Sequence, residues 1–249
     1  MQLDFNKIKT FFFQFSLLNA IRFSCAELVR KILDSYNIPS YSMTGEDRIL
    51  CHLLNQMGPY GKTGFYVEIG CNHPQKISNT FVLYKRGWSG ICIDANEEIV
   101  QNYQKLRKRD LSICAVISDK EQELIFTEFE DSGLSSLNLE HVNKWQKHTK
   151  IKGERVVNTV LLTVLLNEYN IPKDFELLCI DVEGHDFEVL SSLSFDKYRP
   201  KMIAIEMHEF DFLNPSSNNV YQHLTNLDYK MIGYVTMNGY FSDNLAKSL

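Results

Sequence analysis

The chain has little of what would set a protein apart from an ordinary globular fold. Its 249 residues include 12 glycines and 6 prolines, with no internal repeat or low-complexity tract, which excludes collagen-like and extended disordered architectures. The six cysteines (Cys25, Cys51, Cys71, Cys92, Cys114, Cys179) form no Cys-x-x-Cys pair, so metal-ribbon and dithiol chemistry find no support. They read as small reduced core residues, with Cys92, Cys114 and Cys179 inside apolar strand-like runs, and they favour a reducing compartment such as the cytoplasm. A basic excess is also absent. Formal net charge is −5, and the one dense basic run, Lys105 to Arg109, falls where a helix should end and reads as a solvated terminus suited to the helix dipole. No nucleic-acid partner is expected.

Nor is there an apolar run of the ~20 residues that a membrane helix needs. The nearest approach, Phe11 to Ile21, is interrupted by Gln14, Ser16 and Asn19, and no small-residue cleavage site follows it. Arg22, Glu27, Arg30 and Lys31 continue an amphipathic pattern, so residues 1–40 are expected to form a helical appendage. Three placements stay open for it: packed on the domain, paired with a second subunit, or lying on a membrane surface.

What is present is an alternation. With 44% hydrophobic residues, the chain can bury the core of one α/β domain over residues 41–249. Thr44 as cap and Asp47 three residues on open a helix that Gly58-Pro59 closes. Strands are expected at 65–70, 90–94, 112–118, 176–182 and 201–207, and helices at 78–85, 97–107, 187–193 and 220–227. This alternation predicts a mostly parallel sheet with helices on both faces. Residues 231–242 add an antiparallel edge hairpin with an Asn238-Gly239 turn. Between the third and fourth strands, residues 123–162 read as an insertion beside the ligand edge. It holds an apparent hairpin near Leu124–Thr127, a turn at Asp131-Ser132-Gly133 and a polar helix near His141–His148.

The chemistry gathers at strand ends. The first strand runs into Gly70-Cys71-Asn72, and 24 residues after Gly70 the second ends on Asp94. In open α/β sheets ligands bind outside the carboxyl ends of the strands, a glycine turn admits a cofactor close to the backbone, and an acid takes the ribose hydroxyls. Just one of the three glycines of a dinucleotide fingerprint is present, so the pyrophosphate cradle is poorly supported. Glu68, Gly70 and Asp94 suit a ligand with an amino-acid end and a nucleoside end, the shape of S-adenosylmethionine. Asp94 or Asn96 also serves as a cap for the helix from Glu97.

A second constellation, Asp181-Val182-Glu183-Gly184-His185-Asp186, crowds four ionisable groups at the end of an apolar strand. Period-two alternation puts Asp181 and Glu183 on one side if the strand persists. Candidates for a general base are Asp181, Glu183, His185 and His208. Glu206, His208, Asp181 and Glu183 could also gather a divalent cation, which the spacing does not demand. His73 reads as structural. Tyr66, Tyr84, Trp88 and Trp145 are candidates for an acceptor wall or for the core.

These motifs resemble a known family. Phe65 to Pro74, Ser78-Asn79-Thr80, Leu83 to Trp88, Gly133-Leu134-Ser135-Ser136 and Ile180 to Gly184 are together similar to the FkbM-type S-adenosylmethionine-dependent methyltransferases, as is the opening Ser42 to Asp47. The likeness implies a class I, Rossmann-like methyltransferase fold and methylation of hydroxyl groups on sugars or polyketide-like products. It places Glu68, Gly70 and Asn72 on the first cofactor motif, with Ser78, Asn79 and Ala95 beside it, Asp94 on the ribose acid, and Asp181 with Glu183 on the strand-four motif. Met43 departs from the family's usual Gln, and Ala95 from its usual Pro. The implied reaction is methyl transfer to a hydroxyl of a small-molecule sugar or sugar-nucleotide acceptor. A lipid, peptide or other natural-product acceptor, and a non-catalytic cofactor-binding scaffold, are the alternatives.

Overall fold

The computed structural model describes residues 38–56 and 63–245, together with helical positions 21, 22, 25, 26, 28 and 29. Those six positions are solvent-exposed; apart from them and residues 38–40, the expected N-terminal appendage lies outside the described residues, as does the Gly58-Pro59 helix stop. In chain order the elements are α1 (Glu46–Gln56), β1 (Phe65–Ile69), α2 (Phe81–Lys85), β2 (Ser89–Asp94), α3 (Glu97–Leu106), β3 (Leu111–Cys114), β4 (Val116–Ile117) and β5 (Glu123–Phe129). A short 3-10 turn at Ser132–Leu134 follows, then α4 (Leu139–Trp145), β6 (Ile151–Val160), α5 (Leu162–Glu168), β7 (Leu177–Ile180), α6 (Asp186–Ser191) and β8 (Met202–Glu206). A second 3-10 turn, α7 (Asn219–Asn226), β9 (Tyr229–Val235) and β10 (Asn238–Asp243) complete the described chain.

Seven strands form one sheet in the order β3-β2-β1-β7-β8-β10-β9. The first five are parallel, and the last two run antiparallel. The central strands β1, β7 and β8 are apolar almost throughout, as strands covered on both faces must be. One face packs Val67, Ile69, Leu178 and Ile203 against α5, α6 and α7. The other packs Tyr66, Cys92 and Cys179 against α1, α2 and Tyr103 of α3. The expected α/β sheet with an antiparallel C-terminal edge is present.

Several boundaries differ from the sequence expectation, each for a local reason. The expected third strand divides at Ala115: β3 joins the main sheet, while β4 leaves to pair with β6. Leu124–Thr127 is no hairpin of its own, because β5 pairs along its length with β6, which the sequence did not announce. The C-terminal turn is Thr236-Met237 and not Asn238-Gly239. Asn238 and Gly239 are drawn into β10 opposite Glu206 and Ile205, and Thr236 takes the left-handed conformation at φ 59°. At α1, Thr44 is not the cap. Instead Ser42 Oγ accepts the Asp47 N–H at 3.2 Å, while the Asp47 carboxylate accepts the Tyr41 N–H at 2.8 Å and the Ser40 hydroxyl at 2.7 Å.

The basic run is the largest correction. Arg107 is fully buried rather than solvated, with its guanidinium 4.9–5.8 Å from the ring centres of Tyr66, Phe81, Tyr84 and Tyr103 and its Nε 3.0 Å from Asp110. Four aromatic faces and a buried carboxylate replace the water that an arginine normally keeps. Lys105 and Lys108 are exposed as expected. Among the cysteines, all free, Cys51, Cys71, Cys92 and Cys179 are buried, whereas Cys114 is exposed on the outer strand of the parallel set and Cys25 is exposed as well.

Candidate active site

Register brings the chemistry to one edge. Ile69 of β1 lies beside Ile93 of β2 and Ile180 of β7, and Ile180 lies beside Ile205 of β8. The residues that follow, Gly70, Asp94, Asp181 and Glu206, therefore align along the carboxyl ends of four neighbouring parallel strands. They border a cavity of about 430 Å³, lined also by Asn72, Asn79, Ala95, Glu183 and His185. No lysine or arginine is among its described lining residues.

The glycine turn is held by hydrogen bonds to its backbone. Gly70 and Cys71 N–H groups both donate to the Ile93 carbonyl, at 2.9 and 3.3 Å, and the Cys71 carbonyl accepts the Tyr103 hydroxyl at 2.7 Å. Gly70 sits at φ 77° and Asn72 at φ 45°. Asp94 accepts the Asn72 N–H on Oδ2 and the Asn96 N–H on Oδ1, each at 2.9 Å. Burial raises its pKa against the opposing backbone N–H groups of Asn96, Asn72 and Ala95. Asn96, not Asp94, caps α3 by accepting the Glu98 N–H.

Two residues of the first motif face partly away from the cavity. Glu68 accepts the Thr80 hydroxyl at 2.7 Å and lies 3.7 Å from Arg107, and burial pushes its carboxyl up to about 7. Ser78, buried, spends its hydroxyl on the Phe81 N–H at the start of α2. The Arg107 cage thus stands directly behind the turn, joined to it through Tyr103 and Glu68.

The second constellation departs from an extended strand. β7 ends at Ile180, and Glu183 reaches the cavity through a left-handed turn at φ 56° instead of by period-two alternation. Asp186 builds that turn by accepting the Val182 and Gly184 N–H groups, each at 3.0 Å, and burial pushes its carboxyl up to about 7. Asp181 is raised well above the usual carboxylate range by burial and by the like charges of Glu206 and Glu183. Burial and the like charges of Glu206 and Asp186 push Glu183 up to about 8.

The histidines separate into two groups. His185 is fixed between the Ser118 hydroxyl at 3.0 Å and Glu188 at 3.7 Å, and burial lowers its pKa. His208 Nε2 lies 3.1 Å from Glu206 Oε2, and that carboxylate raises the imidazole. Ligand atoms of Glu183, Glu206 and His208 all lie within 4.8 Å of one another, the one such group of potential metal ligands among the described residues. His73 accepts the Gln75 and Lys76 N–H groups, as a structural residue would.

The insertion docks on the Glu183 turn. Ser136 donates to the Glu183 carbonyl at 2.8 Å and Asn138 to the Gly184 carbonyl at 2.6 Å, while Phe126, Leu134, Leu137 and Trp145 line the cavity. Trp145 thus reaches the site, whereas Tyr66, Tyr84 and Trp88 belong to the core. Two site neighbours had no assigned role in the sequence. His141 of α4 places Nδ1 3.7 Å from Glu183, and the nearly buried Glu46 of α1 lines the cavity near Asp181. Glu46 lay within the Ser42–Asp47 motif, which was the available signal; an exposed-looking helix gave none for His141.

This strand order, with an antiparallel last pair and an acid-lined cleft at the parallel carboxyl ends, defines an α/β methyltransferase-type domain. Residues 68–231 match the family described as the Methyltransferase FkbM domain, more than half the chain, and the chain belongs to that family. It is accordingly a S-adenosylmethionine-dependent methyltransferase. Among solved structures, it is similar to a TehB-like SAM-dependent methyltransferase from Corynebacterium glutamicum, at 10% identity and TM-score 0.41 over 91% of this chain and 100% of that one. A comparison with curated proteins found no match. Among the described residues no helix is long and apolar enough to cross a membrane.

Proposed function

We propose that the chain transfers the methyl group of S-adenosylmethionine to a hydroxyl of a saccharide or nucleotide-linked sugar, with Asp181 as general base. The observation that carries this reading is the alignment of Gly70, Asp94, Asp181 and Glu206 along one sheet edge beneath the insertion.

In this reading the donor's ribose diol lies on Asp94, whose oxygens each accept one backbone N–H and keep further acceptor capacity. The amino-acid end follows the Gly70–Asn72 turn, with Asn79 and Ala95 at its sides. Ser78 and Glu68 support that turn from behind, through the α2 cap and the Thr80–Arg107 contacts.

When bound, S-adenosylmethionine supplies an electrophilic methyl group on a sulfonium. The chain's own share is alignment, water exclusion and proton removal. Alignment of acceptor oxygen and methyl carbon is worth up to ~7–11 kcal/mol in favourable cases. Asp181 takes the hydroxyl proton as the oxygen becomes nucleophilic, a contribution of roughly 10²–10⁴-fold. Its burial and acidic neighbours make it a stronger proton acceptor than an ordinary carboxylate. Glu183, Glu206 and His208 hold the acceptor beyond it, and His185, locked by Ser118 and Glu188, positions the turn. Phe126, Leu134, Leu137 and Trp145 roof the cavity and exclude water. The free thiols fit a reducing compartment, and we place the reaction in the cytoplasm.

The test is transfer of labelled methyl from S-adenosylmethionine to a panel of sugars, sugar nucleotides, lipids and peptides. An O-methyl saccharide product supports the assignment. Label on a nitrogen, or on lipid alone, overturns it.

A further inference from the structure

Beside the cavity, which Glu183 and Glu206 line, His208 joins these two carboxylates in one cluster. Glu206 closes β8, His208 follows two residues later, and Glu183 arrives from the turn after β7. Their ligand atoms lie within 4.8 Å of one another. Glu206 is 6% exposed, and its Oε2, sealed from solvent, makes no hydrogen bond although His208 Nε2 stands 3.1 Å away. An imidazole at this distance that does not meet hydrogen-bond geometry leaves the buried carboxylate oxygen incompletely satisfied, and a cation held between the two would complete it.

The rest of the cleft does not supply one. Asp181, Asp186 and Glu46 add negative charge near Glu206 and Glu183, and no lysine or arginine is among the described lining residues. A single positive charge on a bound donor would neutralise part of this field. It would not account for an imidazole nitrogen and two carboxylates arranged about one point.

We infer that Glu183, Glu206 and His208 bind a divalent cation of the Mn²⁺ or Mg²⁺ kind. Carboxylate oxygens suit hard cations, and the imidazole favours Mn²⁺ within that group. An octahedral ion with bonds of about 2.1 Å spans roughly 3–4.2 Å between its ligands, so a small closure of the half-buried Glu183 arm completes the set. His141, 3.7 Å from Glu183 and anchored to the Leu134 carbonyl at 3.1 Å, orients that arm. Three protein ligands leave open positions, which suit two adjacent oxygens of a diol. The cation site stands on its own geometry, whereas its role in presenting acceptor oxygens to Asp181 rests on the methyl-transfer reading.

The experiment is a Mn²⁺ titration of the chelator-treated full chain, read by electron paramagnetic resonance. One saturable site is expected, weakened at least ~10-fold by Glu206→Gln and by His208→Asn and unchanged by Glu168→Gln at the exposed end of α5. No saturable binding, or binding indifferent to both ligand substitutions, overturns the proposal. If Glu206→Gln does not fold, His208→Asn on its half-exposed side chain decides. A parallel S-adenosylmethionine titration separates the two readings: Mn²⁺ binding without donor binding keeps the cation site and removes the methyl-transfer account.

Discussion

A β-carbon on residue 70 would lie 1.7 Å from the carbonyl oxygen of Asp181. The first glycine turn and the strand-four motif therefore touch backbone to side-chain position, and each limits the other. Gly70 also holds φ 77°, which an L-residue adopts only with strain. Gly70→Ala is expected to cost at least about 3 kcal/mol in urea unfolding, because β1 and β7 must part to admit the methyl group. A cost under about 1 kcal/mol would mean that the two strand ends are not this close.

Arg107 holds two carboxylates, Asp110 at 3.0 Å and Glu68 at 3.7 Å, inside a ring of aromatic faces. Arg107→Met keeps most of the volume but strands both acids. The expected loss is about 3–5 kcal/mol, seen as a lower urea midpoint. Surface-like tolerance at this position would contradict its burial.

Glu68 gives the fold a pH dependence with a defined sign. Burial raises its pKa from 4.5 to about 7, so the folded state binds this proton more tightly than the unfolded chain does. The stability linked to it is fully present below about pH 4.5 and is lost as pH rises through about 7. Glu68→Gln should remove this part of the slope, on the order of 1–3 kcal/mol between pH 5 and 8, leaving the other raised carboxylates to act in both proteins. Parallel stability curves for the two proteins would sink the assignment.

Asp181→Asn keeps shape and removes the base. Turnover is expected to fall at least ~10²-fold, with donor affinity within a few-fold of the parent. Near-normal turnover by a folded variant would take Asp181 out of that role.

Much of this arrangement was legible in the sequence because β1, β2, β7 and β8 are apolar runs that stop at Gly70, Asp94, Asp181 and Glu206. A buried strand ending in an acid is a local signal. The misreadings arose where tertiary partners decide. Arg107 looks solvated until Tyr66, 41 residues away in sequence, closes over it. β6 exposes Lys152, Glu154 and Arg155 and carries no strand periodicity, so its pairing with β5 was invisible. Glu183 reaches the site because Asp186 curls the chain, and Asn238-Gly239 lost its turn to the register with β8.

The central claim is that the cleft between Asp94 and Asp181 binds S-adenosylmethionine. Calorimetric titration of the cofactor-stripped chain and its Asp94→Ala variant tests it most directly. One saturable site is predicted, weakened at least ~10-fold in the variant, since each well-placed hydrogen bond to a charged group is worth about 1.5–3 kcal/mol. No binding to the parent, or equal affinity in both proteins, would contradict the account.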